Sequence, residues 1–311
     1  MTLPEPTLPK TKAFSGVFTP IVTPFRSDDT IDEHGLRSNV ARWMTSTPLT
    51  GLVVLGSNGE APQLDDDEAD RIIAIVREGM PRDRPMIVGT GRESTKATIA
   101  ATRRAALAGV DAVLVRTPSF FKPQMTTDIF VRHYLDVADA SPVPVLLYNV
   151  SVFTGVNLLP EAVARLAQHP NIVGLKESGS DIAQIADYIG RTPDDFSVLA
   201  GSATTFFPAL CVGCDGAMLA LAALAPTECV TLVTLVREGK VEDARRLQAR
   251  LLPLARTIGG QHGVPAVKAA LNLMGYAGGY PRPPLCPVAP QIIDLLRSQL
   301  QALGLLEPVL S

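Results

Sequence analysis

Residues Ile172–Asp181 read IVGLKESGSD, and the lysine at position 176 decides how the chain is read. Ile172, Val173 and Leu175 form the short apolar run of a strand buried on both faces, and a packed core has no use for a cation at its end. Lys176 is therefore either a solvated strand end or an amine placed for chemistry. The choice turns on the sheet to which this strand belongs.

The same kind of run recurs along the chain. GVFTPIVTPF begins at Gly16, GLVVLG at Gly51, PMIVGTG at Pro85, DAVLVRTP at Asp111, VPVLLYNV at Val143, NIVGLKES at Asn171, FSVLAGS at Phe196 and GAMLAL at Gly216. Between them lie segments whose apolar residues return every three or four positions, the spacing of amphipathic helices. DDDEADRIIAIVREGM opens with an acidic turn that suits a helix N-terminus, and STKATIAATRRAALAG has a serine cap and stops at Gly109. Consecutive strand and helix units with strands apolar on both faces predict an α/β fold, a closed (β/α)8 TIM barrel over residues 16–240. A doubly wound open sheet is the alternative. Residues 1–15 read as an N-terminal tail. Residues 241–311 read as a C-terminal three-helix extension, carried by KVEDARRLQARLLPLARTI, VPAVKAALNLMG and APQIIDLLRSQLQAL, which would cap the barrel or pack on a partner subunit.

Composition narrows the function. Of the 311 residues 46% are hydrophobic, and 28 Lys and Arg against 31 Asp and Glu give a net charge of -3 without a basic stripe, which speaks against nucleic acid and anionic membranes as partners. The apolar stretch from Gly216 to Val236 is broken by Pro226, Thr227 and Glu228, so it reads as a strand and a helix rather than a membrane span. MTLPEPTLPKTKAF is polar and proline-rich, and the expected address is cytoplasmic. Cys211 and Cys214 form a lone C-x-x-C that reads as buried small residues, and His34, His133, His169 and His262 are too dispersed for a ligand set, so no metal is expected. GTGRES from Gly89 has Ser94 where a third dinucleotide-binding glycine would stand, and no nucleotide cofactor is expected either.

Barrel closure gives Lys176 its meaning, because the C-terminal ends of barrel strands surround the active-site mouth. On the same rim the sequence places Thr19, Thr23, Ser57 and Asn58 in GSNGE, Tyr148 in LLYN and Ser202 in AGSA. Consecutive strands are neighbours, so Tyr148 should lie beside Lys176. A lysine at its ordinary pKa of about 10.4 is a free amine less than about once in a thousand at neutral pH, and desolvation is what frees one to attack a ketone. The protonated imine that results is an electron sink for carbon–carbon bond formation or cleavage, or for loss of water. A neighbouring phenol can carry the protons, and Ser57, Asn58 and nearby amides can hold a carboxylate. Read more plainly, Tyr148 is a core residue with a satisfied hydroxyl and GSNGE an ordinary strand-to-helix turn. Lys122, before Pro123 in a long loop, is a rival amine that reads as hydrated and suited to the entrance.

With GSNGE after the second strand, YNVSVFTG after the fifth and GLKESGSD on the sixth, the chain resembles the dihydrodipicolinate synthase and N-acetylneuraminate lyase superfamily of Schiff-base-forming class I aldolases. The likeness runs from Gly16 to GVPAVKAALNLMGY. It implies that Lys176 forms the imine, Tyr148 belongs to the proton relay, and Ser57 and Asn58 bind the pyruvoyl carboxylate. Gly201, Ser202 and Met218 would line the substrate side. It also implies no cofactor, a homotetramer, and pyruvate with an aldehyde as the small-molecule partners. LGSNGE, AQHPNIVGLKESGSD and VLAGSA look closest to the 4-hydroxy-2-oxoglutarate aldolases, which release pyruvate and glyoxylate.

Two positions depart from the synthase pattern. Phe153 stands where synthases carry an arginine for a substrate carboxylate, with Ser151 replacing a proline. Phe120 stands where a tyrosine normally reaches across the dimer to complete the relay. Phe120, Phe121 and Phe153 would make one side of the pocket apolar, suiting a less polar aldehyde or a dehydration. The leading expectation is 4-hydroxy-2-oxoglutarate cleavage. The alternatives are a 2-keto-3-deoxy sugar acid aldolase or dehydratase, a 4-hydroxy-tetrahydrodipicolinate synthase, and, from another class, a ketoacid-binding pseudoenzyme.

Overall fold

A computed structural model describes residues 12–307, so most of the expected 1–15 tail and the last four residues of the chain lie outside the described residues. Eight parallel strands close into a barrel in chain order: β1 Gly16–Pro20, β2 Gly51–Val54, β3 Met86–Gly89, β4 Ala112–Arg116, β5 Val145–Asn149, β6 Ile172–Glu177, β7 Ser197–Ala200 and β8 Gly216–Met218. β1 pairs with both β2 and β8, which closes the ring and removes every sheet edge. The open-sheet alternative is thereby excluded.

Helices α1 Glu33–Ser46, α2 Asp66–Gly79, α3 Thr95–Leu107, α4 Thr127–Ala140, α5 Ser151–Thr154, α6 Pro160–Leu166, α7 Ile182–Arg191, α8 Phe206–Cys211 and α9 Pro226–Arg237 connect and follow the strands. Their starts are chemically marked. Asp65 and Glu68 form a reciprocal capping box at α2, and Ser94 accepts the Ala97 amide at the head of α3, satisfying donors that a helix start otherwise leaves bare.

Side chains alternate along each strand and divide the core in two. Phe18, Val53, Ile87, Ala112, Leu114, Leu146, Leu199 and Met218 fill the barrel interior. Val54, Val88, Val113, Val115, Leu147, Leu175 and Val198 pack outward in a larger cluster shared with the helices. Strands buried on both faces therefore read as unbroken apolar runs.

The first and last strands are shorter than their apolar runs. GVFTPIVTPF leaves the ladder after Pro20, and Thr23 turns in to donate its hydroxyl to the Gly59 carbonyl at 2.7 Å. GAMLAL pairs only through Met218 before a 3-10 turn at Ala220–Ala223. Cys214 is buried as expected, but Cys211 is exposed, because it ends α8 with its side chain turned to solvent.

The three further helices are present as α10 Val241–Arg256, α11 Gly263–Leu273 and α12 Pro290–Ala302. Of the two expected arrangements, the single chain shows the first: α10 packs on α8 and α9, and α11 reaches the 3-10 turn Ser57–Gly59 at the barrel mouth. No described helix is long and apolar enough to cross a membrane.

Candidate active site

Register sets the site. Arg116 on β4, Tyr148 on β5, Lys176 on β6 and Leu199 on β7 are successive ladder partners, so they form one row across the mouth. Tyr148 continues the inward face begun by Leu146, and Arg116 the inward face of Ala112 and Leu114. Lys176 is 3% exposed, and its Nζ lies 4.5 Å from the centroid of the Tyr148 ring, within reach of a cation–π contact. The Tyr148 hydroxyl is 3.3 Å from Ser57 Oγ. Amine, phenol and serine hydroxyl thus stand side by side where strand ends meet loops.

A cavity of about 330 Å3 opens over this row, lined by Ser57, Asn58, Tyr148, Phe153, Lys176, Gly201, Ser202 and Met218 among others. Eight of the nine residues expected at the site are therefore brought together. Phe120 is the exception. It is 78% exposed, packs edge-on against Phe121 at 5.0 Å, and is absent from the lining. Glu93 explains why: one of its carboxylate oxygens accepts the amides of Ser119 and Phe120 at 2.8 and 2.9 Å and holds that loop outside the mouth. Phe121 is also exposed, so the apolar wall expected from three phenylalanines is reduced, within one chain, to Phe153 at the rim. Lys122 is likewise exposed and lies over Gly155 rather than in the cavity.

Alternation sends the next residue of each strand outward. Asn149 and Glu177, ladder partners behind Tyr148 and Lys176, are joined by an Asn149 Nδ2 to Glu177 Oε2 hydrogen bond of 2.7 Å. Burial pushes the Glu177 carboxyl above the usual carboxylate range, while Asn149, the Gly179 amide, Tyr188 and Gln184 pull it back. Asn149 Oδ1 also accepts the Leu158 amide at 3.0 Å. This buried network ties β5 to β6 immediately behind the amine and the phenol.

The Ser57–Gly59 turn is fixed from below. Glu60 closes it in the left-handed region at φ 55° and is fully buried with Lys268 of α11, whose ammonium meets its carboxylate. The other carboxylate oxygen of Glu60 accepts the Arg282 amide at 2.8 Å, and Arg282 in turn grips Glu68 through two contacts of 2.7 Å. Burial pulls the Lys268 ammonium below the ordinary lysine range, and Glu60 opposes that pull. An L-residue at positive φ persists only where its surroundings over-determine it, as this ion pair does.

Three residues at the site escape a reading by motif. Arg116 was visible as the next inward position after Ala112 and Leu114, had the alternation been carried to the strand end. His262 lines the cavity from the segment between α10 and α11, together with Gly259, Gly260 and Gly263 of GGQHG. Glu60 had no local signal for its partner, which is 208 residues away in the sequence by the difference of the two residue numbers. Thr19 and Thr23, expected on the rim, are used internally, with Thr19 donating to the Leu219 carbonyl at 3.4 Å.

Residues 13–303 match the dihydrodipicolinate synthetase family. The chain belongs to that family. It is 37% identical to the 4-hydroxy-tetrahydrodipicolinate synthase of Methanothrix thermoacetophila over 92% of this chain and 96% of the relative. To the synthase of Thermotoga neapolitana it is 36% identical over 94% and 100%. The crystal structure of dihydrodipicolinate synthase from Thermotoga maritima superposes with a TM-score of 0.89 at 35% identity, covering 94% of this chain and 99% of that one. A prophage protein of the dihydrodipicolinic acid synthase family from E. coli, in complex with pyruvate, gives 0.87 at 30% identity over 94% and 99%. As a member of the dihydrodipicolinate synthetase family the chain is an enzyme, a Schiff-base-forming carbon–carbon lyase of the class I aldolase type.

Proposed function

We propose that this enzyme binds pyruvate as an imine on Lys176 and makes or breaks a carbon–carbon bond at the pyruvate methyl carbon. The observation that carries the reading is the ladder pairing of Tyr148 with Lys176, an amine and a phenol side by side under one cavity. Ser57 and Asn58 hold the pyruvate carboxylate, since the leading amides of a 3-10 turn have no acceptor within the turn and a serine hydroxyl stands beside them. The neutral amine of Lys176 attacks the ketone carbon, the carbonyl oxygen takes up protons and leaves as water, and a protonated imine remains. Tyr148, in contact with Ser57, carries those protons. Loss of a proton from the methyl carbon gives an enamine, which adds to the carbonyl carbon of an aldehyde. Cleavage runs the same steps backwards. The protonated imine is itself the electron sink, so the reaction asks for no added cofactor.

The names of the relatives favour the synthase outcome, condensation of pyruvate with an aldehyde, over the 4-hydroxy-2-oxoglutarate cleavage that the motifs favour. Cleavage stands as the second reading because Phe153 lines the cavity at the position where the synthase pattern has an arginine. A homotetramer is the assembly we propose, supported by Phe120 and Phe121 standing exposed on a loop that Glu93 holds outward. The test is to treat the protein with pyruvate and borohydride, locate the adduct by mass spectrometry, and assay both condensation and pyruvate release. An adduct on any residue but Lys176, or none, refutes the reading. Turnover in one assay alone selects between the two outcomes.

A further inference from the structure

We propose that Arg116 selects the second substrate, binding a carboxylate carried at the far end of the aldehyde; this rests on the reading of Lys176 as the imine-forming residue. Arg116 shares the mouth row with Tyr148 and Lys176 and faces the interior. Two further cavities flank the Tyr148–Ser57 contact, and Arg116 lines both. The smaller includes Ser57 and Tyr148; the larger, about 460 Å3, meets the Lys176 cavity along Ser57, Val150, Phe153 and His262. A molecule joined to the imine and passing between Ser57 and Phe153 therefore runs toward Arg116.

The guanidinium is positioned but not used up. Its Nη1 donates to Glu93 Oε1 at 2.7 Å and to the Thr117 carbonyl at 3.1 Å, while Nε and Nη2 make no hydrogen bond among the described residues. Glu93 is engaged on both oxygens in turn, one on Arg116 and the other on the Ser119 and Phe120 amides. The Glu93 pair thus fixes the direction of the arginine and leaves two donors in a fork suited to a carboxylate. Gly91 makes the room, since a Cβ there would lie 2.8 Å from Arg116 Cγ. Ser119 lines the same cavity and can add a hydroxyl. The other titratable neighbours are His262, facing both the larger cavity and that of Lys176, Glu60 on the larger cavity, and Arg92 on the smaller.

Span sets the size of the acceptor. Neighbouring strands lie about 4.8 Å apart, so Arg116 and Lys176, two strands apart, have backbones on the order of 10 Å from each other, with side chains converging inward. That distance suits a short aldehyde acid of two to four carbons and leaves the guanidinium unsatisfied by an uncharged aldehyde of the same length.

The experiment compares wild type, Arg116→Met and Arg116→Lys with pyruvate and two acceptors, glyoxylate and propionaldehyde, following product formation together with borohydride trapping of pyruvate. Charge-assisted hydrogen bonds of this kind predict a loss of about 10- to 100-fold in kcat/KM for glyoxylate in Arg116→Met, a smaller loss in Arg116→Lys, and less than about threefold change for propionaldehyde or for trapping. Equal losses on both aldehydes, or loss of trapping, would mean that Arg116 only holds the Ser119–Phe120 loop, and would overturn the proposal while leaving the imine intact in wild type. Absence of trapping in wild type removes the imine reading and this proposal with it. Should Arg116→Met melt early, Arg116→Lys carries the same comparison, because it keeps the cation and loses the fork.

Discussion

Glu60 and Lys268 form a buried ion pair that joins the residue closing the Ser57–Gly59 turn to helix α11, so the C-terminal extension sets the floor of the turn proposed to hold pyruvate. Removing one partner leaves the other charge stranded, at a cost of about 3–5 kcal/mol. Glu60→Gln and Lys268→Met should each lower the melting temperature by on the order of 10 °C. Each should also raise the KM for pyruvate, while the double variant regains part of the stability. Unchanged pyruvate KM in a folded single variant would confine the pair to stability.

Lys176→Arg keeps a long basic side chain at the mouth and removes the amine proposed as nucleophile. Turnover should fall by at least about a thousandfold, with no borohydride adduct at this position, as read by intact mass after pyruvate treatment.

Tyr148→Phe keeps the ring that Nζ faces and removes only the hydroxyl near Ser57. Loss of a proton carrier predicts a rate about 10^2- to 10^4-fold lower. The adduct should still form, more slowly, which stopped-flow trapping would show; undiminished turnover would remove Tyr148 from the relay.

His133 gives a pH signature from outside the cavity linings. It is buried on α4, its Nδ1 is 2.9 Å from Thr95 Oγ1, and burial pushes it down to about 4 against the opposing pull of Asp136 and Glu93. With an ordinary value near 6.5 in the unfolded chain, the unfolded state binds the extra proton between those limits. Stability from this group is therefore present above about pH 6.5 and is lost as pH falls toward 4, by about 3 kcal/mol in all. Denaturant melts between pH 4 and 7 should show a shallower acid limb in His133→Gln than in wild type.

Phe120→Tyr restores a hydroxyl on a side chain outside its own cavity. Within one chain it should change pyruvate trapping by no more than about twofold, as surface substitutions do. A large gain in turnover would show that this position completes the site of a second copy.

The barrel was legible because strands buried on both faces and helices buried on one write different periods, and because capping residues such as Asp65 and Ser94 mark where helices begin. Lys176, Tyr148, Ser57 and Asn58 were legible for a related reason: closure assigns every strand's C-terminal end to one mouth before any distance is known. Phe120 was not. Its exposure depends on Glu93 holding the loop outward, a contact between separate loops with no local trace.

The sequence by itself determined the order of elements, the closed topology and the place of Lys176 at the mouth, since these follow from short-range periodicity and from strand order. Only the tertiary structure decided that Arg116 joins the Tyr148–Lys176 row, that His262 covers the cavity, and that Glu60 is paired with Lys268. Those relations bring together side chains from distant parts of the chain, and register and packing in three dimensions set which of them meet.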